Sequence, residues 1–458
     1  MSPSRLAILV VCLLVSAVAS AADGSVSLYL QPLPLEAARL TFTLASVSAV
    51  GADGSEHPLD VGLKSVGRAE AARQRLLASG RLPAGSYAGF VLRIGQATLK
   101  GPQGDAKLTV PETPVRVEAP FAIGGQRSAL LWFVFRYEAS LPGGADFAPA
   151  FSAFTPPRPI PDHAGFVTNF GAGTITVFDK SLSQAAALID TCGGPAGMAL
   201  DQRRRRAYVA CARDDEIRAI DAATGETIEF STVSPGDRPR ELALTPDGAT
   251  LVSANTGSNS ISFFDAVSLT RQERVNVGSG PASVAIDAAG RRAFVFNTMS
   301  SSVSVVDIAT RRVVATASTD AAPLRGRFNR RGDRLYVIHE RSPYMTVLDP
   351  QQLTVVTRAR LRIGVSAIEV DPVRGLVCVG GPDDPTLEFY DPNALLPLYT
   401  MRAGTGVSFL AVDIDDNSLY MVSPDTRSLI VARLSDRRVV TAIDVGDRPY
   451  WVAVMGEK

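Results

Sequence analysis

Six aspartates, Asp179, Asp221, Asp265, Asp307, Asp349 and Asp391, follow one another at intervals of 42, 44, 42, 42 and 42 residues. The next step of 42 lands on Arg433, which makes seven units. Each aspartate closes an alternating apolar run, as in Thr174-Ile-Thr-Val-Phe-Asp179, Ser260-Ile-Ser-Phe-Phe-Asp265 and Ser302-Val-Ser-Val-Val-Asp307. A second run ends roughly ten residues earlier, as in Phe166-Val-Thr-Asn169. A unit of this length with several short strands has the size of one propeller blade, so the lattice predicts a seven-bladed β-propeller. Such a fold carries enzymes, binders and scaffolds alike, so function has to be read from particular residues.

A third marker opens a further strand in every unit: Pro195, Pro239, Pro281, Pro323, Val365, Val407 and Pro449. Glycine stands three residues before it at Gly236, Gly278, Gly404 and Gly446. The marker strand is expected innermost, the run ending in asparagine second, the run ending in aspartate third, and the following stretch outermost. The repeats begin on a second strand at Phe166 and finish on an inner strand, Tyr450-Trp-Val-Ala-Val454. The last strand is therefore predicted to complete the first blade, which removes the two edges an open ring would expose.

Arg5, an apolar stretch from Leu6 to Val18 and small residues up to Ala22 read as a secretory signal peptide, residues 1–22, cleaved between Ala19 and Ala22. Cys12 lies inside that apolar core and is not placed as a lipid-bearing cysteine. No later stretch approaches the length of a membrane-spanning helix, so the expectation is a periplasmic or secreted monomer. Charge is balanced, 46 basic against 46 acidic residues, which provides no overall attraction to nucleic acid. Only His57, His163 and His339 supply imidazoles, too few and too scattered for a histidine metal cage; no metal and no cofactor are expected.

Residues 23–154 leave the lattice. Ser25-Val-Ser-Leu-Tyr-Leu30, Tyr87-Ala-Gly-Phe-Val-Leu-Arg-Ile94 and Ala129-Leu-Leu-Trp-Phe-Val-Phe-Arg136 alternate between glycine and proline turns, which predicts a β-sandwich domain. Ala69-Glu-Ala-Ala-Arg-Gln-Arg-Leu-Leu77 interrupts it as a helix-prone insert. The proline-rich segment Thr155-Pro-Pro-Arg-Pro-Ile-Pro161, within a linker at 155–164, is expected to hold the sandwich away from the propeller at 165–458.

The combination of Phe-Val-Thr-Asn169, Ser-Val-Ser-Val-Val-Asp307 and Gly446-Asp-Arg-Pro449 resembles the YVTN-repeat (YncE-like) β-propellers over residues 165–458. The segment Leu82-Pro-Ala-Gly-Ser-Tyr87 with its following strand resembles bacterial surface sandwich domains, immunoglobulin-like or transthyretin-like in fold, and implies no chemistry. Some relatives of the repeat class are lactonases or haem enzymes. This chain has no Cys-x-x-Cys-His and no Gly-x-Ser-x-Gly elbow, and neither activity transfers residue by residue, because the supporting histidines are not here.

Departures from the lattice mark candidate sites. Cys192 replaces a glycine and Cys211 the asparagine at the top of blade two, with Cys211 expected opposite residue 196, which makes a disulfide a candidate in an exported protein. Cys378 falls inside a second strand and is expected as a buried thiol. Inner strands carry small or apolar residues four positions after the marker, except Arg327 and Glu369 on neighbouring blades; two positions after it, Glu241 and Arg325 stand out. His339 takes the asparagine position of blade five, expected opposite Leu324 and near Arg325. Arg325, Arg327, His339, Glu369 and Glu241 are thus the candidate ligand-binding residues at the top funnel. The alternative is a structural bridge between Arg327 and Glu369. No residue is assigned as catalytic. A bottom-face series, Arg203-Arg-Arg-Arg206, Arg291-Arg292 and Arg330-Arg331, offers phosphate contacts, yet Asp201, Asp287 and Asp333 dilute it and nucleic acid is not the expected partner.

The sequence therefore predicts an exported, non-enzymatic binding or interaction protein that presents its top funnel to an unknown protein or a small polar or anionic ligand. Two alternatives remain at this level: a propeller hydrolase or lactonase with His339, Arg325 and Arg327 as polar groups of a top-face site, and a bottom-face binder of an anionic polymer.

Overall fold

The structure, a computed structural model, describes residues 23–102, 104–124, 128–142, 146–156 and 159–456. The expected signal segment and Cys12 lie outside the described residues. Within them the chain is all-β: one ten-stranded sheet at the N-terminal end, then seven four-stranded antiparallel sheets arranged as propeller blades. No described helix is long and apolar enough to cross a membrane.

The lattice residues explain the blades in physical terms. Each of the six aspartates ends a third strand and turns its carboxylate onto backbone N–H groups of the hairpin that follows. Asp265 accepts from Val267 and Ser268 at 3.0 and 2.9 Å, and Asp391 from Asn393 and Ala394 at 2.8 and 2.7 Å. Asp179, Asp221, Asp307 and Asp349 do the same. This is the Asx-turn chemistry that makes aspartate a turn former. The amide of Ser268 holds Asp265 below the usual carboxylate range, and the amide of Gln352 does so for Asp349. Four residues after each lattice position the backbone is left-handed. Six of those seven residues are not glycine: Ser183, Leu269, Arg311, Leu353, Leu395 and Arg437, with Gly225 in blade two. A side chain in that conformation costs about 1–2 kcal/mol, and in the five of these turns that open on an aspartate the cap offsets part of it.

The asparagine marker has a different task. Asn169 Nδ2 donates to the hydroxyls of Thr174 and Thr176 at 3.1 and 2.9 Å; Asn255 does so to Ser260 and Ser262, and Asn297 to Ser302 and Ser304. The alternation Ser-x-Ser or Thr-x-Thr in the third strand is thus the acceptor row for a buried amide, in line with the rule that buried polar groups are paired.

The ring closes through the last strand. Pro449–Val454 pairs antiparallel with Ala164–Asn169, with Val452 opposite Val167 and Trp451 opposite Thr168. Blade one therefore takes its inner strand from the C-terminal end and its other three from residues 164–190. The seam between blades one and seven is tied at the bottom by Lys180, whose Nζ lies 2.6 Å from Asp413 and 3.2 Å from Asp416, with Lys180 and Asp413 both almost fully buried.

The N-terminal domain is one curled sheet. Strand Glu56–Val61 pairs with both Leu40–Gly51 and Arg75–Leu82, so the two layers expected of a sandwich are joined and wrap a shared core of Phe42, Phe90, Phe133 and Phe147. The helix-prone insert does not form a helix: residues 68–73 are turns and Arg75–Leu82 is a strand against Gly24–Leu30. Tertiary pairing overrides the local preference of an alanine-rich segment.

Nor is this domain held away from the propeller. It docks on the outer strands of blades one and seven. The Asp444 carboxylate accepts from Arg73 at 2.6 Å, Arg75 Nε at 2.8 Å and the Leu76 amide at 2.9 Å, and the Asp444 carbonyl from the Tyr29 hydroxyl. Asp190, which ends the outer strand of blade one, accepts from the amide and hydroxyl of Ser25 at 2.7 and 2.8 Å. Trp132 Nε1 donates to the Ala185 carbonyl and the Ala185 amide to Gln74, so side chains cap an edge strand that is otherwise open. The linker lies against blade two, with the buried Ile160 donating its amide to Ala223.

A stop codon in place of Pro449 removes the closing strand and its ladder bonds, each worth about 0.5–1.5 kcal/mol net. The expected outcome is loss of soluble monomer on gel filtration; a truncated chain that melts like the full one contradicts the closure.

Candidate functional site

Inner strands run from the top of the ring towards the bottom, and the second residue after each marker points at the axis. Going round, that row reads Gly197, Glu241, Ser283, Arg325, Ala367, Phe409 and Trp451. Contacts that skip blades show that these side chains meet across the centre. Arg325 Nη2 of blade five lies 3.4 Å from Glu241 Oε2 of blade three. Its guanidinium carbon sits 4.8 Å from the Phe409 ring centre of blade seven and 5.2 Å from that of Trp451 in blade one. Phe409 and Trp451 are themselves stacked, centroids 3.8 Å apart. Gly197 makes room: a Cβ there would fall 2.7 Å from the Glu241 Cα. The axis is thus filled at this level by a cation on an aromatic pair, with one carboxylate beside it.

The row two residues further in reads Ala199, Ala243, Ala285, Arg327, Glu369, Ala411 and Ala453. Arg327 Nε bonds Glu369 Oε2 at 3.0 Å, linking blades five and six. Above both rows, at the mouth, the half-buried Arg240 of blade three donates through Nε to the Tyr450 hydroxyl of blade one at 2.7 Å. Tyr450 also lies against Phe170, which carries Arg213 over its face.

The two ion pairs differ in quality. Burial works against the charge on Arg327, but Glu369 and then Glu241 more than offset it, and its pKa is raised. For the other pair burial dominates on both sides: it lifts Glu241 and lowers Arg325, despite their mutual attraction. Geometry gives the reason. Arg325 is 7% exposed, makes one long contact to Glu241, and leaves its buried Nε–H without any acceptor. A buried guanidinium with an unused donor is a costly group to keep in a protein core.

Of the sequence-predicted residues, the structure brings Glu241, Arg325, Arg327 and Glu369 together and leaves His339 apart. A bulge between Pro323 and Arg325 sets Pro323 opposite His339 and Ile338 opposite Arg325, so the expected pairing with Leu324 does not occur. The same irregularity sets Cys211 opposite Pro195, not opposite residue 196. The imidazole fills the asparagine niche, with Nδ1 3.0 Å from the Tyr344 carbonyl and Nε2 buried without a partner. Burial lowers its pKa, against the smaller effects of the Tyr344 carbonyl and of Asp320, which is also bonded to Arg358.

Cys192 and Cys211 are bridged, with Cα atoms 5.8 Å apart. Cys378 is a buried free thiol whose pKa burial pushes well up. Among the described residues no group of histidine, cysteine and carboxylates is arranged to hold a metal. Much of the bottom arginine series is engaged locally: Arg203 with the Pro246 carbonyl, Arg204 with Asp201, Arg205 with Asp162, Arg206 with the Val267 carbonyl and Arg292 with Asp287. A separate cleft of about 1060 Å³ opens where the N-terminal domain, linker and blades one and two meet, walled by Phe121, Leu130, Pro156, Ile160 and Leu188. Its Asp190 is already committed to Ser25.

Sequence reasoning missed Phe409, Trp451, Arg240 and Tyr450. The first two share the row of Glu241 and Arg325, and the last two the row before it, so the signal was the full lattice row across seven blades, aromatic residues included.

Residues 164–371 match the model of the YNCE-like beta-propeller family. No curated protein sequence matches the chain. Among solved structures, a functionally unknown protein from Desulfotomaculum acetoxidans DSM 771 is similar at TM-score 0.57 and 13% identity, over 65% of this chain and 100% of that one. The dihydro-heme d1 dehydrogenase NirN in complex with DHE gives 0.52 and 13% over 66% and 77%, and Kuenenia stuttgartiensis hydrazine synthase 0.50 and 17% over 56% and 88%. At these identities the likeness concerns the fold alone.

Two outcomes test the site as described. Arg327→Ala strands Glu369; each side chain keeps about a fifth of its surface exposed, so the loss of stability should be about 2–3 kcal/mol, at or below the lower end for buried pairs, and the double variant Arg327→Met with Glu369→Gln should recover most of it in urea melts. For His339, the folded pKa lies below its ordinary value of 6.5. Its neutral ring therefore contributes stability in full above that value, and the contribution is lost as pH falls from there through the folded pKa. Melting temperatures of His339→Asn should fall less than wild type on acidification from about pH 7 to about pH 5.5.

Proposed function

We propose that this YncE-like propeller is an exported, non-enzymatic binding protein of the cell envelope, periplasmic or secreted, that receives a ligand or partner at the top mouth of its channel. The observation that carries this reading is Arg325. It is more than nine-tenths buried, stacked on Phe409 and Trp451, and has an Nε–H with no acceptor. A stability-driven core would replace such a group with an apolar side chain, whereas a binding site keeps polar groups convergent in an apolar wall. The filled axis favours engagement at the mouth over passage through the ring.

Binding is favoured over a hydrolase or lactonase because the one histidine in the upper propeller is spent inside its own blade, on the Tyr344 carbonyl, and does not face the Arg325 cluster. Export is supported by the apolar leader at residues 1–22 and by the Cys192–Cys211 bridge, since disulfides persist in oxidising compartments.

The test uses the chain expressed with its leader. Periplasmic or secreted material should expose one thiol on denaturation, Cys378, and three after reduction. Incubated with small-molecule envelope extracts, it should retain a compound identifiable by mass, which the double variant Glu241→Gln with Arg325→Met no longer retains while its own cooperative melting shows that it is folded. Protein confined to the cytosol with its leader uncleaved and four free thiols, Cys12 among them, refutes export, retention unchanged in the double variant refutes the mouth as the site, and turnover of simple lactones refutes the non-enzyme reading.

A further inference from the structure

Charge at the channel mouth does not balance. Three guanidiniums face the upper axis, Arg240, Arg325 and Arg327, against two carboxylates, Glu241 and Glu369. Glu369 is taken by Arg327 and Glu241 reaches Arg325. Arg240 is left with the Tyr450 hydroxyl, a neutral acceptor, as the partner of its Nε. Glu340 and Arg213 lie exposed on the rim, where water screens them. One positive charge therefore remains unmatched in a half-buried position, on the residue before Glu241, which itself reaches a second guanidinium whose Nε–H is unused.

We infer that the mouth takes a small organic monocarboxylate, with its carboxylate between Arg240 and Arg325 and the Tyr450 hydroxyl beside it. The inference rests on reading the mouth as the binding site and adds the chemical class of the ligand. Three features select the class. A guanidinium offers a planar fork of donors matched to a carboxylate. The excess is a single charge, so a monoanion neutralises it, whereas a phosphate dianion would leave a net negative charge in a partly desolvated site. The seat is small, because Phe409, Trp451 and Arg325 close the axis beneath it, so the organic part of the ligand points outwards past Phe170.

Tyr450 belongs to the closing strand and Arg240 to blade three, so the carboxylate would draw together two blades that are not neighbours. Binding should thus stabilise the ring as well as fill the site.

The probes are acetate, propionate and benzoate, with phosphate, chloride and neutral acetamide at matched ionic strength, read as the shift in melting temperature and the derived Kd. The expected result is stabilisation by the carboxylates alone, with Kd weakened about tenfold or more in Arg240→Gln and less in Tyr450→Phe, while Arg240→Lys retains part of it. The unliganded melting temperature of each variant reports whether it folds. Carboxylate stabilisation that survives Arg240→Gln in a folded variant overturns the inference, as does absence of any carboxylate effect in the wild type. Stabilisation by phosphate or acetamide that is lost in Arg240→Gln overturns the carboxylate class but leaves the mouth as the binding site, so the two readings fail separately.

Discussion

The pairing of Pro449–Val454 with Ala164–Asn169 is the contact on which the rest of the ring depends. Bringing together residues 280 to 289 apart in the sequence costs loop-closure entropy that grows only with the logarithm of length. That cost is met by a local ladder and by reinforcement around the seam. Lys180 of blade one reaches Asp413 and Asp416 of blade seven at the bottom. The N-terminal domain holds Asp190 of blade one and Asp444 of blade seven on the outside. These two aspartates end the outer strands on either side of the seam, so the extra domain acts as a brace across the joint most prone to open. The closing strand also delivers Tyr450 and Trp451 to the channel, which makes the integrity of the candidate site a consequence of closure.

The repeat was legible because each of its markers has one physical task. Aspartate caps the hairpin to the outer strand, asparagine bonds the hydroxyl row of the third strand, and the small residues of the inner strand allow seven blades to approach the axis. Blade order, strand number and the closing strand all follow from those spacings. The left-handed residue four places after each lattice position was not legible, because Ser183, Leu269, Arg311, Leu353, Leu395 and Arg437 have no common chemistry. Their conformation is imposed by the turn. The bulge after the marker was equally silent, and it is the reason that His339 pairs with Pro323 and turns into the blade instead of towards Arg325.

Contacts between distant segments were the least accessible. Arg73 and Arg75 sit in a segment whose composition favours a helix, and only the presence of Asp444 on another domain makes sense of them. In the channel, Glu241 and Arg325 lie 84 residues apart in sequence, two blades round the ring. A reading of neighbouring repeats finds Arg327 with Glu369, which are one period apart, but not a pair that meets by crossing the axis. The aromatic pair Phe409 and Trp451 escaped for a related reason: a lone aromatic on an inner strand reads as core until its row is seen to converge on a cation.

That convergence separates the two charged layers of the channel. Arg327 and Glu369 satisfy one another between adjacent blades. Arg325 and Glu241 do not, since burial outweighs their attraction in both directions. A cation on two aromatic faces gains about 2 kcal/mol or more when desolvated, which lowers the cost of keeping Arg325 in place without supplying an acceptor for its Nε. The aromatic pair therefore fixes the position of the guanidinium while leaving its Nε–H free. Arg325 is thus a fixed charge with a hydrogen bond left unmade, whereas Arg327 and Glu369 pair with one another, and that difference falls between two rows of the same lattice, two residues apart.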